Sequence, residues 1–250
     1  MDFTIEIVVL ILVGFIAGTI NTIAGGGSLL TLPILIFLGL PPNIANGTNR
    51  IGILFQNIFT TAGFKSRGVV TFPFSIYVGI SALFGAVLGA QIAVDIKGEA
   101  FNKILAVIMV LVVILMVLKP KAKNLIKIEK TTGKYLWLSI FLFFFVGVYG
   151  GFIQAGVGFI MLFILSTVNN ISLVKSNAIK VTVALIYTVS AVVVFAYNDT
   201  IDWQKGLILA IGNASGGWFA SRWSVKKGDR LVKNFLIIMV VVFAIKLWFF

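Results

Sequence analysis

The chain has 250 residues, of which 60% are hydrophobic and 11% charged, with a net charge of +12 and no cysteine or histidine. Its mean hydropathy is +1.10, whereas a soluble domain carries roughly 25% charged residues, so the composition predicts an all-α integral membrane protein. Without Cys or His there are no disulfides, no iron–sulfur, zinc, copper or haem sites of the usual kinds, and no Ser–His–Asp or Cys–His nucleophile.

The elements follow in chain order. Met1-Asp2-Phe3-Thr4-Ile5-Glu6 is acidic, unlike the basic start of a cleaved signal peptide, so the first apolar segment is expected to stay in the mature protein. An apolar stretch over 4–40 is interrupted by Gly25-Gly26-Gly27-Ser28 and followed by runs at about 44–64, 73–94 and 101–118. A lysine-rich connector spans 119–134. A second long stretch, 135–168, is broken by Gly150-Gly151 and by Gly156-Val157-Gly158, with a helix expected from about Phe159. Runs at about 176–197, 203–221 and 231–249 complete the chain. At an offset of about 131, Gly25 meets Gly156, Gly27 meets Gly158, Asn46 meets Asn177 and Val70 meets Ile201. The organisation is therefore a first repeat at 1–118, a basic cytoplasmic connector at 119–134 and a second repeat at 135–250.

Topology follows from lysine and arginine, which concentrate in short cytoplasmic loops. Eight simple crossings would put the basic 119–134 and 222–233 segments on opposite faces. If each glycine-broken stretch is a hairpin that returns to its own side, most of the 20 basic residues share one face, including Lys65, Arg67, Lys175 and Arg222. Each repeat is then one hairpin plus three crossings, the second repeat is inverted, and both termini are external. Inverted repeats with broken helices meeting near the midplane are a common plan of secondary transporters.

On this assignment two cations, Arg50 and Lys180, remain within the bilayer, and no carboxylate joins them. A buried cation costs about 2.5–3.5 kcal/mol on insertion scales, so its partners are backbone carbonyls, water or an anionic substrate. Snorkelling to a helix end is the alternative. Asn46, Asn49, Arg50, Gln56, Asn57 and Thr60 form a polar stripe at helical spacing, and Asn177, Lys180, Ala184 and Tyr187 form a thinner one. Such stripes also serve as interhelical glue. The glycine breaks lead into helices whose N-terminal donors favour anions. Asn21 and Gln154, just before the breaks, can add amide donors. Tight packing through small residues is the other use of glycine in membranes, and it is the expectation for Gly14, Gly18, Gly85 and Gly89.

Ala24-Gly25-Gly26-Gly27-Ser28-Leu29-Leu30-Thr31-Leu32-Pro33 with Ala45-Asn46-Gly47-Thr48-Asn49, and Gly150-Gly151-Phe152-Ile153-Gln154-Ala155-Gly156-Val157-Gly158-Phe159 with Ala178 and Lys180, resemble the two signatures of the TauE/SafE sulfite-exporter-like permeases. The resemblance covers essentially the whole chain, although its first glycine run is shorter than in many family members. It implies export of small sulfur-containing oxyanions, such as sulfite or organosulfonates, across a bacterial inner membrane. The expected substrate-binding residues are Asn21, Gly25, Gly26, Gly27, Ser28, Asn46, Thr48, Asn49, Arg50, Gln154, Gly156, Gly158, Asn177 and Lys180. The expected partners are the anion and the lipid bilayer, with no nucleic acid, no cofactor and no catalytic residues; a homo-oligomer is left open. No Walker A motif is present, so the membrane potential or a proton carried on Lys180 or the substrate would drive transport. A passive anion channel and a non-transporting membrane scaffold are the rival readings.

Overall fold

The computed structural model describes residues 3–96, 100–101, 103–105, 107 and 128–225. Most of the expected run at 101–118, much of the connector and the whole run at 231–249 lie outside the described residues. Among the described residues, all regular secondary structure is helical. The helices are α1 Phe3–Ile23, α2 Ser28–Phe37, α3 Pro42–Lys65, α4 Phe74–Asp95, α5 Gly133–Phe152, α6 Val157–Thr167 and α7 Leu173–Tyr197, followed by α8 at 203–225. Residues 100, 101, 103–105 and 107 are also helical.

Four of these, α1, α4, α5 and α7, are long and apolar enough to cross a membrane. Large apolar side chains such as Leu12, Ile80, Phe84 and Leu88 stay exposed on their outer faces, as lipid-facing surfaces require. The 24-residue α3 is also long enough to cross, but its amides and arginine set it apart from those four. Their burial explains why it tolerates them: Asn46, Asn49, Arg50, Gln56, Asn57 and Thr60 are all enclosed. The polar stripe faces protein, not lipid.

Both glycine-broken stretches turn back on themselves. Leu10 early in α1 packs with Leu35 late in α2, together with Ala45 and Leu209. In the second stretch, the Lys130 amide donates to the Asn169 carbonyl at 2.9 Å, and Asn169 also bonds Ser139 near the start of α5. The tips meet in the interior. Ile23, Ala24 and Leu29 of the first share a cluster with Ile153, Ala155 and Phe159 of the second. A β-carbon on Gly25 would land on the Gly158 backbone, and the converse also holds. Gly25 and Gly156 have φ of 91° and 75°, a left-handed geometry that side chains resist.

The break in the second stretch differs from the expectation in one respect. Gly150 and Gly151 are helical residues of α5, the chain leaves the helix after Phe152, and α6 begins at Val157, not Phe159. A β-carbon on Gly151 would strike the Ala86 carbonyl of α4, so the pair serves close helix contact. The same contact recurs along the fold. Gly85 and Gly89 of α4 face the backbone of α5, whereas Gly14 and Gly18 of α1 face the backbone of α8 around Leu209–Asn213. Each hairpin's first helix thus packs on a helix from the other half of the chain.

Charge separates along the helix axes. Lys65 ends α3 and Arg67 follows it, Lys130 and Lys134 flank the start of α5, Lys175 lies in the first turn of α7, and Arg222 lies near the end of α8. Phe64, Val174 and Val225 pack together there, which places these ends on one face. Glu6, pairing with Lys205, lies toward the opposite face with Asp202, whose amide donates to Thr48.

Gly89→Ala tests the small-residue contact, because its methyl would meet the Val148 carbonyl. It should lower the thermal unfolding temperature of the detergent-solubilised protein by an amount corresponding to about 1–3 kcal/mol. Leu88→Ala, one residue away on the exposed face, should shift it little.

Candidate functional site

The interior of the fold is organised by the two buried cations. Arg50 Nη1 donates to the Gly150 carbonyl at 2.9 Å and to Gln154 Oε1 at 3.1 Å. Its Nη2 donates to the carbonyls of Gly151 at 2.6 Å and Phe152 at 3.3 Å, and to Asn46 Oδ1 at 3.3 Å. These carbonyls belong to the last turn of α5. Lys180 does the same for α1: its Nζ donates to the carbonyls of Asn21 at 2.7 Å and Thr22 at 3.0 Å, and to Asn177 Oδ1 at 2.7 Å.

The flanking amides complete both caps. Asn46 Nδ2 donates to the Phe152 carbonyl at 2.8 Å, and Asn177 Nδ2 to the Ile23 carbonyl at 3.0 Å. The last carbonyls of a helix have no intrahelical donor and carry roughly half a negative charge. Within a bilayer each unsatisfied one would cost several kcal/mol. Both cations thus donate to backbone carbonyls, as expected, and also to the side-chain oxygens of Asn46, Gln154 and Asn177.

A second set of contacts relates the two halves. Asn21 Nδ2 donates to Gln56 Oε1 at 3.1 Å, and Gln154 Nε2 to Thr188 Oγ1 at 3.5 Å. The residue just before each break therefore reaches the middle of α3 or α7.

Between these contacts lies a small cavity lined by Asn21, Asn57, Gln154, Gly158, Lys180 and Tyr187, with Val157, Met161, Val181 and Ala184. It has room for about one water molecule. No carboxylate is among its described lining residues. Several of its polar atoms are buried without a partner: Asn57 Nδ2 and Oδ1, and the Tyr187 hydroxyl; Gln56 Nε2 and Arg50 Nε nearby are in the same condition. A buried, unpaired polar group costs about 1–3 kcal/mol, so this concentration of them points to a place that a ligand or water fills.

Of the residues singled out from sequence, Asn21, Gln154, Gly158 and Lys180 line the cavity. Arg50, Asn46 and Asn177 stand behind it as helix caps. The remaining residues are engaged elsewhere. Asn49 ties α3 to α2 through Thr31 Oγ1 at 2.6 Å and Ser28 Oγ at 3.3 Å. Thr48 accepts from the Asp202 amide at 2.8 Å, near the acidic face. Gly25 abuts Gly158, Gly26 faces the Phe159 ring, and Gly27 is pressed against Ala17 and Asn21 of its own hairpin. Gly156 forms the left-handed N-cap of α6. Of the two helix N-termini expected to face a ligand, the first turn of α6 reaches the cavity through Val157 and Gly158, while that of α2 is tied to α3 through Ser28. Asn57 and Tyr187 belong to the polar stripes but were not among the expected ligands. Their signal was helical register: each faces inward about two turns beyond Arg50 or Lys180.

The chain resembles known membrane proteins over nearly its whole length. The family model described as "Sulfite exporter TauE/SafE" matches residues 10–247. A Sinorhizobium protein named "Probable membrane transporter protein ORF9" is 28% identical over 238 residues, covering 95% of this chain and 90% of its own length. A "Probable membrane transporter protein" of Haemophilus influenzae is 27% identical, covering 96% and 93%. YfcA of Escherichia coli K12, also named a probable membrane transporter protein, is 26% identical, covering 96% and 88%. No solved structure matches the chain.

The caps make a stability prediction. Arg50→Met removes this donor from the Gly150 and Gly151 carbonyls, Phe152 keeping Asn46, and should destabilise the protein strongly, at about 1–3 kcal/mol for each acceptor left dry. Arg50→Lys should recover part of the loss, since Lys180 caps α1 with one ammonium group. Thermal unfolding in detergent reads both; equal stability of Arg50→Met and wild type would refute the capping role.

Proposed function

The chain belongs to the sulfite exporter TauE/SafE family of membrane transporters, and we propose that it exports small sulfur-containing oxyanions by alternating access at the cavity between its hairpin tips. The observation that carries this reading is the set of unpartnered donors around a pocket containing Lys180 and no described carboxylate. The Tyr187 hydroxyl, Asn57 Nδ2 and the amides of Asn21 and Gln154 would donate to the oxyanion. Asn57 Oδ1 has no donor, and a singly protonated oxyanion such as bisulfite would provide one. A cavity this small corresponds to an occluded state, which would have to widen toward one face at a time to load and release an anion.

Electrostatics favour the same ligand. The C-termini of α1 and α5 contribute roughly −0.5 charge each, and the N-termini of α2 and α6 just beyond the breaks return roughly +0.5 each. The two cations are therefore left largely uncompensated, although they touch carbonyls and not the cavity centre.

On this reading the second half is inverted relative to the first. Three features support that arrangement: Arg50 caps α5 while Lys180 caps α1, the amide before each break bonds the long polar helix of its own half, and the hairpins start from opposite faces. The basic face would be cytoplasmic and the chain termini external, in an inner membrane. The inside-negative potential would then drive anion export with about 2.3 kcal/mol per charge per 100 mV.

Counterflow of labelled sulfite and small organosulfonates in proteoliposomes tests the proposal. Wild type should show saturable exchange. Tyr187→Phe should weaken apparent substrate affinity about tenfold or more, the worth of one hydrogen bond to a charged group, while thermal stability stays equal or rises because an unpaired hydroxyl is gone. Absence of anion flux from a folded, reconstituted protein would remove the substrate class.

A further inference from the structure

The proposed site needs a barrier on each side, and two residues outside it are placed to supply one. Phe64 on α3 and Phe195 on α7 are 1% and 0% exposed. They are separated by the same offset, about 131, that aligns the two halves. Each lies two helical turns beyond a cavity-lining residue on the same helix face: Phe64 seven residues past Asn57, Phe195 eight past Tyr187.

Their surroundings correspond as well. Phe64 packs with Ala178 and Val181, against Val69, Val174 and Val225, at the face that carries Lys65, Arg67 and Arg222. Val181 also lines the cavity, so this plug closes the pocket directly. Phe195 packs with Ala90, Ala93 and Ala191, against Phe152 and Ile201, toward the opposite face. Its ring edge lies against Gly47, and the Arg50 guanidinium sits over the ring, 4.6 Å from its centroid. Gly47 and Arg50 are the counterparts, at the same offset, of Ala178 and Val181, which pack against Phe64.

We propose that Phe64 and Phe195 are the two gates of the transport cycle, Phe64 closing the cavity toward the basic face and Phe195 toward the acidic face. This deepens the transporter reading and rests on it. The gates are unequal. Phe195 is held by a cation over its ring, an attraction that strengthens when desolvated, whereas Phe64 has a valine in that place. The gate at the basic face is therefore the one that opens more readily from the occluded state.

The chain contains no cysteine, so a single introduced thiol reports access without background. Ala184→Cys places it in the cavity wall, and a membrane-impermeant, sulfonate-bearing methanethiosulfonate is applied to right-side-out or inverted vesicles. With both gates wild type, labelling should be faster from the basic face. Adding Phe64→Leu should raise the rate several-fold from the basic face alone, and Phe195→Leu from the opposite face alone. Val69→Ala and Ile201→Ala, which thin each plug from its edge, should give the same sidedness with smaller size and serve where a Phe change impairs folding. Equal acceleration from both faces, reversed sidedness, or no acceleration in folded variants would overturn the gate assignment. Labelling requires no transported substrate. Sided labelling without anion counterflow would sink the substrate reading and leave the gates, whereas counterflow without sided labelling would do the reverse.

Discussion

The rest of the structure depends on one constraint: two helices end inside the molecule, at depths where a bilayer offers no water. The last carbonyls of α1 and α5 would be very costly unpaired, and a chain without buried histidines has few donors that reach several acceptors at once. Arginine, with five donors in a planar fork, covers the α5 end. Lysine, with three, covers α1, and each is helped by an asparagine one turn earlier. Both caps come from the opposite half of the chain. Each hairpin therefore takes its cap from the other half, and the glycine contacts of α1 with α8 and of α4 with α5 tie the halves together in the same crosswise manner. The polar faces of α3 and α7 follow from this requirement, because only a helix enclosed by its neighbours can carry them through a membrane.

The capping arrangement also alters how the site's charge should be understood. Arg50 and Lys180 are held by carbonyls and cannot swing freely to a ligand without exposing helix ends. In the proposed transporter their contribution to anion selectivity would be a fixed field, of the preorganised kind that needs no rearrangement when a charge arrives. Direct contacts would fall to groups that the fold leaves unpaired, Asn57 and Tyr187 foremost. This division separates two effects that substitution at Arg50 alone would confound. Losing that side chain would remove a structural cap and a positive field together, whereas removing the Tyr187 hydroxyl would weaken only the proposed ligand contact and take an unpaired group out of the empty protein.

Much of the described fold is legible in the sequence. Hydropathy locates the described helices after the first repeat's hairpin to within a few residues, the glycine cluster marks the first break, and Gly14, Gly18, Gly85 and Gly89 serve packing as expected. Gly150 and Gly151 misled because a glycine pair can mark either a break or a close helix contact; the deciding atom, the Ala86 carbonyl, lies 65 residues away in sequence. The buried cations stood out because lone charges in apolar runs are rare. Their acceptors did not, since a backbone carbonyl has no residue identity for sequence to carry. The same limit explains Thr48 and Asn49. They sit in the Ala45–Asn49 motif beside Asn46, but helix geometry turns them toward the start of α8 and toward α2, and motif proximity does not encode direction.

The differences between the halves say more about vectorial transport than their likeness does. Two identical inverted halves would give a molecule with equal barriers on both sides, and no preference for either face could be built into the protein. Here Arg50 has Val181 as its counterpart, Gly47 has Ala178, and Thr60, buried beside Thr22, has Ala191. Each pair puts the more polar or smaller residue on α3 and the apolar or larger one on α7. If Phe195 and Phe64 are the gates, the result is a cation-held ring at one barrier and a purely apolar plug at the other. An apolar plug has no directional bond to break and yields when side chains repack, while a ring under a guanidinium must lose that contact before it moves. On the gate proposal, divergence at a handful of equivalent positions would be enough to make two inverted halves face one way.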